Sequence, residues 1–376
     1  MPHLPIRNDV RLPRLEMSLT GKQTGPTVGL DLDADSVAAV ESAAGDGVVR
    51  AYVQSLPKGA IGGGEILDAA AVTRALSELY GRSKFSRQVR LAVAGQGVAF
   101  RIMRLPLIEN PDRLRSAVRF QAGEEIPMPL ESAVLDHQIV DAHVDGDGGR
   151  LIDVAVVAAR RDYVESLLRV AKGAGLDPVG IDLAAFGMIR ALAGVDIVPA
   201  VPGNGDGAGA AYVPTSLFCS LGGITNLAIA RGRTCLFSRA TQFSVRAIAE
   251  ELVTRSGLEL EHAEQWLVHV GFDRPLEEID GDPAVIDAAR SVLEGNIGRL
   301  ADELRLSIDY YGAQEGAAPV EGVSLCGWGA AIPGIADRLG VALARPVTST
   351  PPLALAAMPT SEAARLTLPY GLALEA

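Results

Sequence analysis

The chain has 376 residues, with 34 Lys and Arg against 46 Asp and Glu, and the net charge of −12 argues against general affinity for nucleic acid or anionic membranes. Hydrophobic residues make up 48% but aromatics only 5%, beside 41 Gly and 22 Pro, which describes an α/β protein with an aliphatic core and room for two or three domains. No apolar run approaches the roughly 18 residues needed to span a bilayer, and the first 26 residues lack the apolar centre of a signal peptide, so a cytoplasmic location is expected.

Residues 1–26 mix Arg7, Arg11, Arg14 and Lys22 with prolines and show no period, which predicts a mobile tail. From Val28 to Glu41 the chain reads as a strand, an acidic turn through Asp31, Asp33 and Asp35, and a second strand beginning at Ser36. A third strand follows over Val48 to Leu56, then a helix from about Asp68 to Tyr80 with Val72, Leu76 and Leu79 on one face. Strands over Gln88 to Ala94 and Ala99 to Leu105 are expected to form a hairpin turned at Gly95-Gln96-Gly97. Asn110 and Pro111 mark a helix start, and Ile126-Pro127-Met128-Pro129 ends that helix.

Two more strands, Ala133 to Val140 and Leu151 to Ala159, flank the turn Asp145-Gly146-Asp147-Gly148-Gly149. Asp162 and Glu165 suggest a capping box for a helix stopping at Gly173 to Gly175. Together these elements predict an α+β subdomain inserted at about 87–178. After a strand at Val179 to Leu183 and a short helix, Pro199 to Pro214 is rich in Gly and Pro and reads as a linker.

The opening pattern then returns. Leu217 to Arg231 is again apolar, then small and polar at Gly222, Gly223, Thr225 and Asn226, then apolar. A strand at Thr234 to Ala240, helices near 245–256 and 261–270, and a long helix over Ala284 to Gln314 follow. The last motif, Gly322 to Ile335, is a buried strand, a tight turn at Gly327-Trp328-Gly329, and a helix. Cys219, Cys235 and Cys326 sit in apolar runs without C-x-x-C spacing and read as buried free thiols. The five histidines form no ligand cluster along the chain, and no metal site is assigned to them.

Two small-residue hairpins followed by a strand, glycine turn and helix resemble the layout of the actin-like ATPase superfamily. The chain more specifically resembles the PilM family of type IV pilus assembly proteins, relatives of the cell-division protein FtsA, from about Val28 to the C-terminus. Four segments carry this: Pro111 to Val140 with Glu125-Ile126-Pro127-Met128-Pro129; Val154 to Leu183 with Gly175-Leu176-Asp177-Pro178; Glu303-Leu304-Arg305-Leu306-Ser307-Ile308-Asp309-Tyr310-Tyr311; and Leu325 to Ile335.

The resemblance implies an α/β, actin-like (ribonuclease H-like, duplicated βββαβα) fold with an inserted α+β subdomain. The halves then fall at 27–198 and 215–376, joined by the linker 199–214. It implies a cleft for ATP and Mg²⁺ lined by Asp31, Asp33, Ser36, Gly222, Gly223, Thr225, Asn226, Gly327, Trp328 and Gly329.

The departures from the family bear on that cleft. Asp33 stands where the family favours glycine and Ala38 where it favours lysine; the second hairpin has lost its usual aspartate; and Trp328 replaces a glycine, where an indole either stacks on adenine or fills its space. A second carboxylate beside a triphosphate repels it, and the offsetting cation is missing. ATP binding is therefore expected to be weak or lost, with no catalytic residue assigned. The same residues also read more plainly: the three aspartates as a solvated turn and Gly222-Gly223 as turn geometry.

By resemblance the protein is a scaffold at the inner face of the plasma membrane, in a pilus or a related secretion or DNA-uptake machine. Its main implied partner is the cytoplasmic peptide of a PilN-like membrane protein, held in a groove involving the inserted subdomain. The assembly and retraction ATPases and self-association are further implied contacts, with no nucleic acid and no direct membrane insertion. The alternatives are an active actin-like ATPase or small-molecule kinase, and an FtsA-like filament-forming protein, whose terminal amphipathic membrane helix is not evident in the proline-containing stretch Pro351 to Ala376.

Overall fold

The computed structural model describes residues 17–18, 26–43, 47–144, 148–194 and 212–374. The first half contains β1 (Met17–Ser18), β2 (Val28–Leu32), β3 (Ser36–Ser42), β4 (Val48–Ser55), a small hairpin of β5 (Ile61–Gly62) and β6 (Glu65–Ile66), α1 (Ala69–Arg82) and β7 (Gln88–Val93). Next come β8 (Val98–Pro106), α2 (Pro111–Glu125), β9 (Ala133–Val144) and β10 (Arg150–Arg160), then α3 (Arg161–Gly173), β11 (Asp177–Leu183) and α4 (Ala184–Leu192). The second half runs through β12 (Thr215–Leu221), β13 (Thr225–Arg231), β14 (Thr234–Thr241), α5 (Val245–Ser256), α6 (Leu260–Val270), α7 (Pro283–Gly312), β15 (Val320–Cys326), α8 (Ile335–Leu343), β16 (Val347–Thr348) and α9 (Thr360–Ala373).

The duplication is visible in the sheets. In the first, the order is β4-β3-β2-β7-β11 with β1 added at the edge; in the second it is β14-β13-β12-β15-β16. Each has an antiparallel three-strand meander whose first strand pairs in parallel with a fourth, as in Val28 opposite Val89 and Thr215 opposite Val320. Local signals start the helices: Asn110 accepts from the backbone N–H of Asp112 and Arg113 ahead of α2, and Ser244 from Ala247 ahead of α5.

The inserted unit is narrower than 87–178. Its own three-stranded sheet, β8-β10-β9, spans 98–160, and α2 covers one face through Leu114, Val118 and Ala122. β7 pairs with β2 and β11 instead of β8, so Gly95-Gln96-Gly97 is a passage between two sheets and not a hairpin turn. The run Val89 to Val93 is buried throughout, as a central parallel strand requires and a hairpin arm does not. The capping box at Asp162 does not form; α3 starts at Arg161, and the Asp162 carboxylate accepts from the Arg160 guanidinium at 2.6 and 3.1 Å.

At the predicted tail, Met17–Ser18 pairs antiparallel with β11; apart from these two residues and Pro26, that tail lies outside the described residues. The predicted linker falls on residues outside the described set up to 211.

The C-terminal stretch forms α9 despite Pro369 in its interior, since residues Leu366 to Leu374 are all buried. It does not stay with the second half. Lying across β2, β3 and α4, it contributes Leu366, Leu372 and Leu374 to a cluster that also holds Val40, Ala92 and Met188 from the first half and Phe218, Ala228 and Cys326 from the second. Each half has in addition its own core. Among the described residues no helix is long and apolar enough to cross a membrane.

Candidate functional site

The two hairpin turns meet. The first is closed by the Asp33 N–H donating to Ser36 O at 2.9 Å, which aims the Asp33 carboxylate at the second. There the Gly223 N–H donates to both Asp33 oxygens, at 2.9 Å to Oδ1 and 3.1 Å to Oδ2, while Ala34 N–H donates to Oδ1 at 2.8 Å. The approach is closer than any side chain on the second turn would permit. A Cβ at Gly222 would lie 2.2 Å from Asp33 Oδ2, and one at Gly223 would lie 2.3 Å from Ala34 Cβ. Neither glycine has a positive φ, so space and not backbone conformation requires them.

The third turn joins the same point from the other side. Gly327 has a φ of 76°, and a Cβ there would lie 2.5 Å from Leu221 O. A Cβ at Gly329 would lie 2.7 Å from the Val245 side chain, and Gly327 N–H donates to Ala364 O of α9 at 3.0 Å. Trp328 is 3% exposed and lies beneath the guanidinium of Arg365, 5.6 Å from the ring centroid. The Thr225 hydroxyl and Trp328 Nε1 are buried with no hydrogen-bond partner among the described residues.

Arg365 binds these parts together. Its Nη1 donates to Asp35 Oδ2 at 2.7 Å and to Ser36 Oγ at 3.1 Å, and its Nη2 donates to Glu264 Oε2 of α6 at 3.1 Å. Arg246, from α5, donates to Ala34 O at 3.1 Å and lies 3.4 Å from Glu250. Beside this cluster a cavity of about 910 Å³ opens between the halves, lined by Asp35, Arg246, His262, Glu264, Trp328 and Arg365 among others.

Burial dominates the electrostatics. It pushes the Asp31 carboxyl up to about 7, helped by the charges of Asp33 and Asp35 and opposed by the Leu32 N–H. Asp33 rises to about 6 through burial and then Asp35, although the Ala34 and Gly223 N–H groups and Arg365 favour its charge. Glu264 rises to about 7 through burial and Asp35, against Arg365.

Of the ten residues read from the sequence, Asp31, Asp33, Ser36, Gly222, Gly223 and Thr225 lie at or beside the meeting turns, and Gly327, Trp328 and Gly329 close them from behind. Asn226 does not join them: alternation along β13 sends it to a small void with Ala184 and Ser238. Arg365, Glu264 and Arg246 belong to the site and come from helices distant in sequence. The readable signal for Arg365 was a single charge in the mostly apolar run Ala363 to Leu374.

These residues fit ATP with Mg²⁺ poorly. The amide that would meet a phosphate donates to Asp33, and the indole that would meet the base is buried and covered by Arg365.

A second concavity lies where the insert meets the first half. It holds about 560 Å³ and is lined by Gln96, Pro127, Met128, Pro129, Arg160 and Arg161 among others. On the far side of the insert Asp141, His143 and Asp153 bring ligand-type atoms within 4.8 Å of one another, which their sequence spacing did not suggest; Asp153 is held there by Arg104 at 2.9 Å. All three cysteines are buried and free, as expected, and burial raises their thiols.

Comparison with known proteins agrees with the actin-like fold. The family model described as type IV pilus assembly protein PilM matches residues 29–365. Among solved structures, a PilM-PilN type IV pilus biogenesis complex superposes with a TM-score of 0.73 at 24% identity, covering 93% of this chain and 98% of that one. The ethanolamine utilization protein EutJ from Carboxydothermus hydrogenoformans follows at 0.53 and 15%, covering 92% and 88%. MreB5 of Spiroplasma citri, bound to ADP, matches at 0.51 and 16%, covering 86% and 91%. All three share the actin-like fold with this chain.

Proposed function

The chain belongs to the type IV pilus assembly protein PilM family, and from that premise we propose that it is a cytoplasmic actin-like scaffold of the pilus machine, or of a related secretion or DNA-uptake system. In this reading it binds the cytoplasmic N-terminal segment of a PilN-like membrane protein, is held at the inner membrane through it, and has weak or lost ATP binding. The assembly and retraction ATPases are further candidate partners.

The observation that carries the reading is the groove of about 560 Å³ between insert and first half. Its apolar lining is Pro127-Met128-Pro129, whose prolines lack N–H groups. Its walls carry both signs, Arg160 and Arg161 against Asp162 and Glu165. An extended peptide with apolar anchors and mixed charges suits such a groove. The similarity to a PilM-PilN complex over 98% of that chain supports the choice of peptide.

The test is fluorescence anisotropy with a labelled peptide covering the cytoplasmic N-terminus of the PilN-like protein encoded beside this chain. Saturable binding is expected, weakened at least about tenfold by Met128→Asp, which places a charge on the apolar lining. Absence of saturable binding by the wild type, or equal binding by the variant, would refute the assignment. Calorimetry with Mg·ATP checks the nucleotide half of the reading, where micromolar binding with turnover would refute it.

A further inference from the structure

The second turn has the form of a phosphate cradle, with two glycines and an inward N–H, yet what it cradles is part of the same chain. Three independent observations agree on this. The Gly223 N–H is bonded to both oxygens of Asp33. The space that Gly222 and Gly223 leave open is filled by Asp33 and Ala34, at distances a Cβ could not tolerate. The backbone carbonyl next to that carboxylate, Ala34 O, is itself held by Arg246 from α5 of the opposite half.

We propose that the Asp33 carboxylate is an internal anion that occupies the cradle of the second turn and holds the two halves closed without nucleotide. It stands where a phosphate oxygen would otherwise accept from the turn, and it carries the charge such a turn favours. Arg365 completes the closure, satisfying Asp35 and Ser36 of the first half and Glu264 of the second with one guanidinium. Closure in this chain is thus constitutive, and the cleft presents one geometry to its partners whatever the nucleotide pool. The inference rests on the reading that ATP binding is weak or lost, and it gives that loss a structural use.

Hydrogen exchange by mass spectrometry on the full chain tests it, in wild type, Asp33→Ala and Asp33→Asn, each with and without Mg·ATP. In the wild type, the segment 219–226 exchanges slowly, and Mg·ATP leaves it unchanged. Asp33→Ala speeds exchange there at least about tenfold, as expected for a lost charge-assisted bond, while the insert strands 150–160 keep their protection. Asp33→Asn, with one amide oxygen left to accept, falls between; should the alanine variant loosen the insert as well, the asparagine variant carries the comparison.

Unchanged exchange at 219–226 in both variants would overturn the clamp while leaving the loss of ATP binding standing. Slower exchange in the wild type on adding Mg·ATP would overturn both, because the cradle would then be open to phosphate. Failure of the PilN-like peptide to bind bears on neither outcome.

Discussion

Asp31, Asp33 and Glu264 are three carboxyls held above their ordinary range, to about 7, 6 and 7, with burial as the first cause in each case. The native state therefore keeps protons that the unfolded chain has already released between about pH 4 and 7. Their contribution to stability is fully present at the acidic side of that window and is lost as pH rises through the native values. The urea midpoint is accordingly expected to be higher at pH 5.5 than at pH 8, and Asp31→Asn should flatten the difference. A midpoint that climbs over the same interval would contradict the assignment.

These residues also show what a sequence carries at this scale. Asp31, Asp33 and the glycine pair were legible as a site from residue type and order. That Asp33 would fill the site was not, because its partner N–H lies 190 positions away along the chain and depends on how the halves close.

Helix α9 is the element the sequence conceals most fully. Pro359 and Pro369 argue against a helix, and a segment buried on all sides has no amphipathic period to offset them. Its seating relies on backbone contact: a Cβ at Gly371 would lie 1.8 Å from Gly187 O on α4, and one at Gly29 would lie 1.9 Å from Pro369 O. Arg90, 1% exposed, donates to Leu372 O at 2.7 Å and Leu374 O at 3.0 Å, and Arg190, paired with Asp182, donates to Gly371 O at 2.7 Å.

Gly371→Ala is expected to cost about 3 kcal/mol, since the atoms nearest the added Cβ are the Gly187 carbonyl O and C of α4, backbone that cannot swing aside as a flexible side-chain end could. Gly81→Ala in α1, where a Cβ meets nothing within 4 Å, is the matched control and should gain about 0.5–1 kcal/mol. Urea unfolding of the two variants checks the contrast; similar effects would mean that α9 is not packed through glycine. Elements with their own caps and stripes, such as α1, α2 and α7, were by comparison readable with nearly their observed bounds. The insert's limits were not, because a strand pair reads alike whether its two arms share a sheet or pass between sheets.

At the scale of the whole molecule the duplication was legible from two similar hairpins, and both sheets repeat one strand order. What holds the copies together was not legible, since the residues concerned are spread over the chain and share only burial. The cluster between the halves draws on β3, β7, α4, β12, β13, β15 and α9, with Met188, Phe218, Leu366 and Leu372 buried at its centre. α9 belongs by sequence to the second half and packs on the first, so neither half can unfold alone without exposing that surface.

Chains of two structural halves often unfold in separate steps, because interfaces between domains are usually small and polar. Here the interface is an apolar core crossed by a helix and closed by Asp33 and Arg365. Scanning calorimetry at neutral pH is expected to give one transition with calorimetric and van't Hoff enthalpies in agreement. Shortening the chain after Pro359 should lower the melting temperature of both halves together. Two resolved transitions, or a shortened chain in which the second half melts unchanged, would show that the halves are coupled less tightly than their shared core implies.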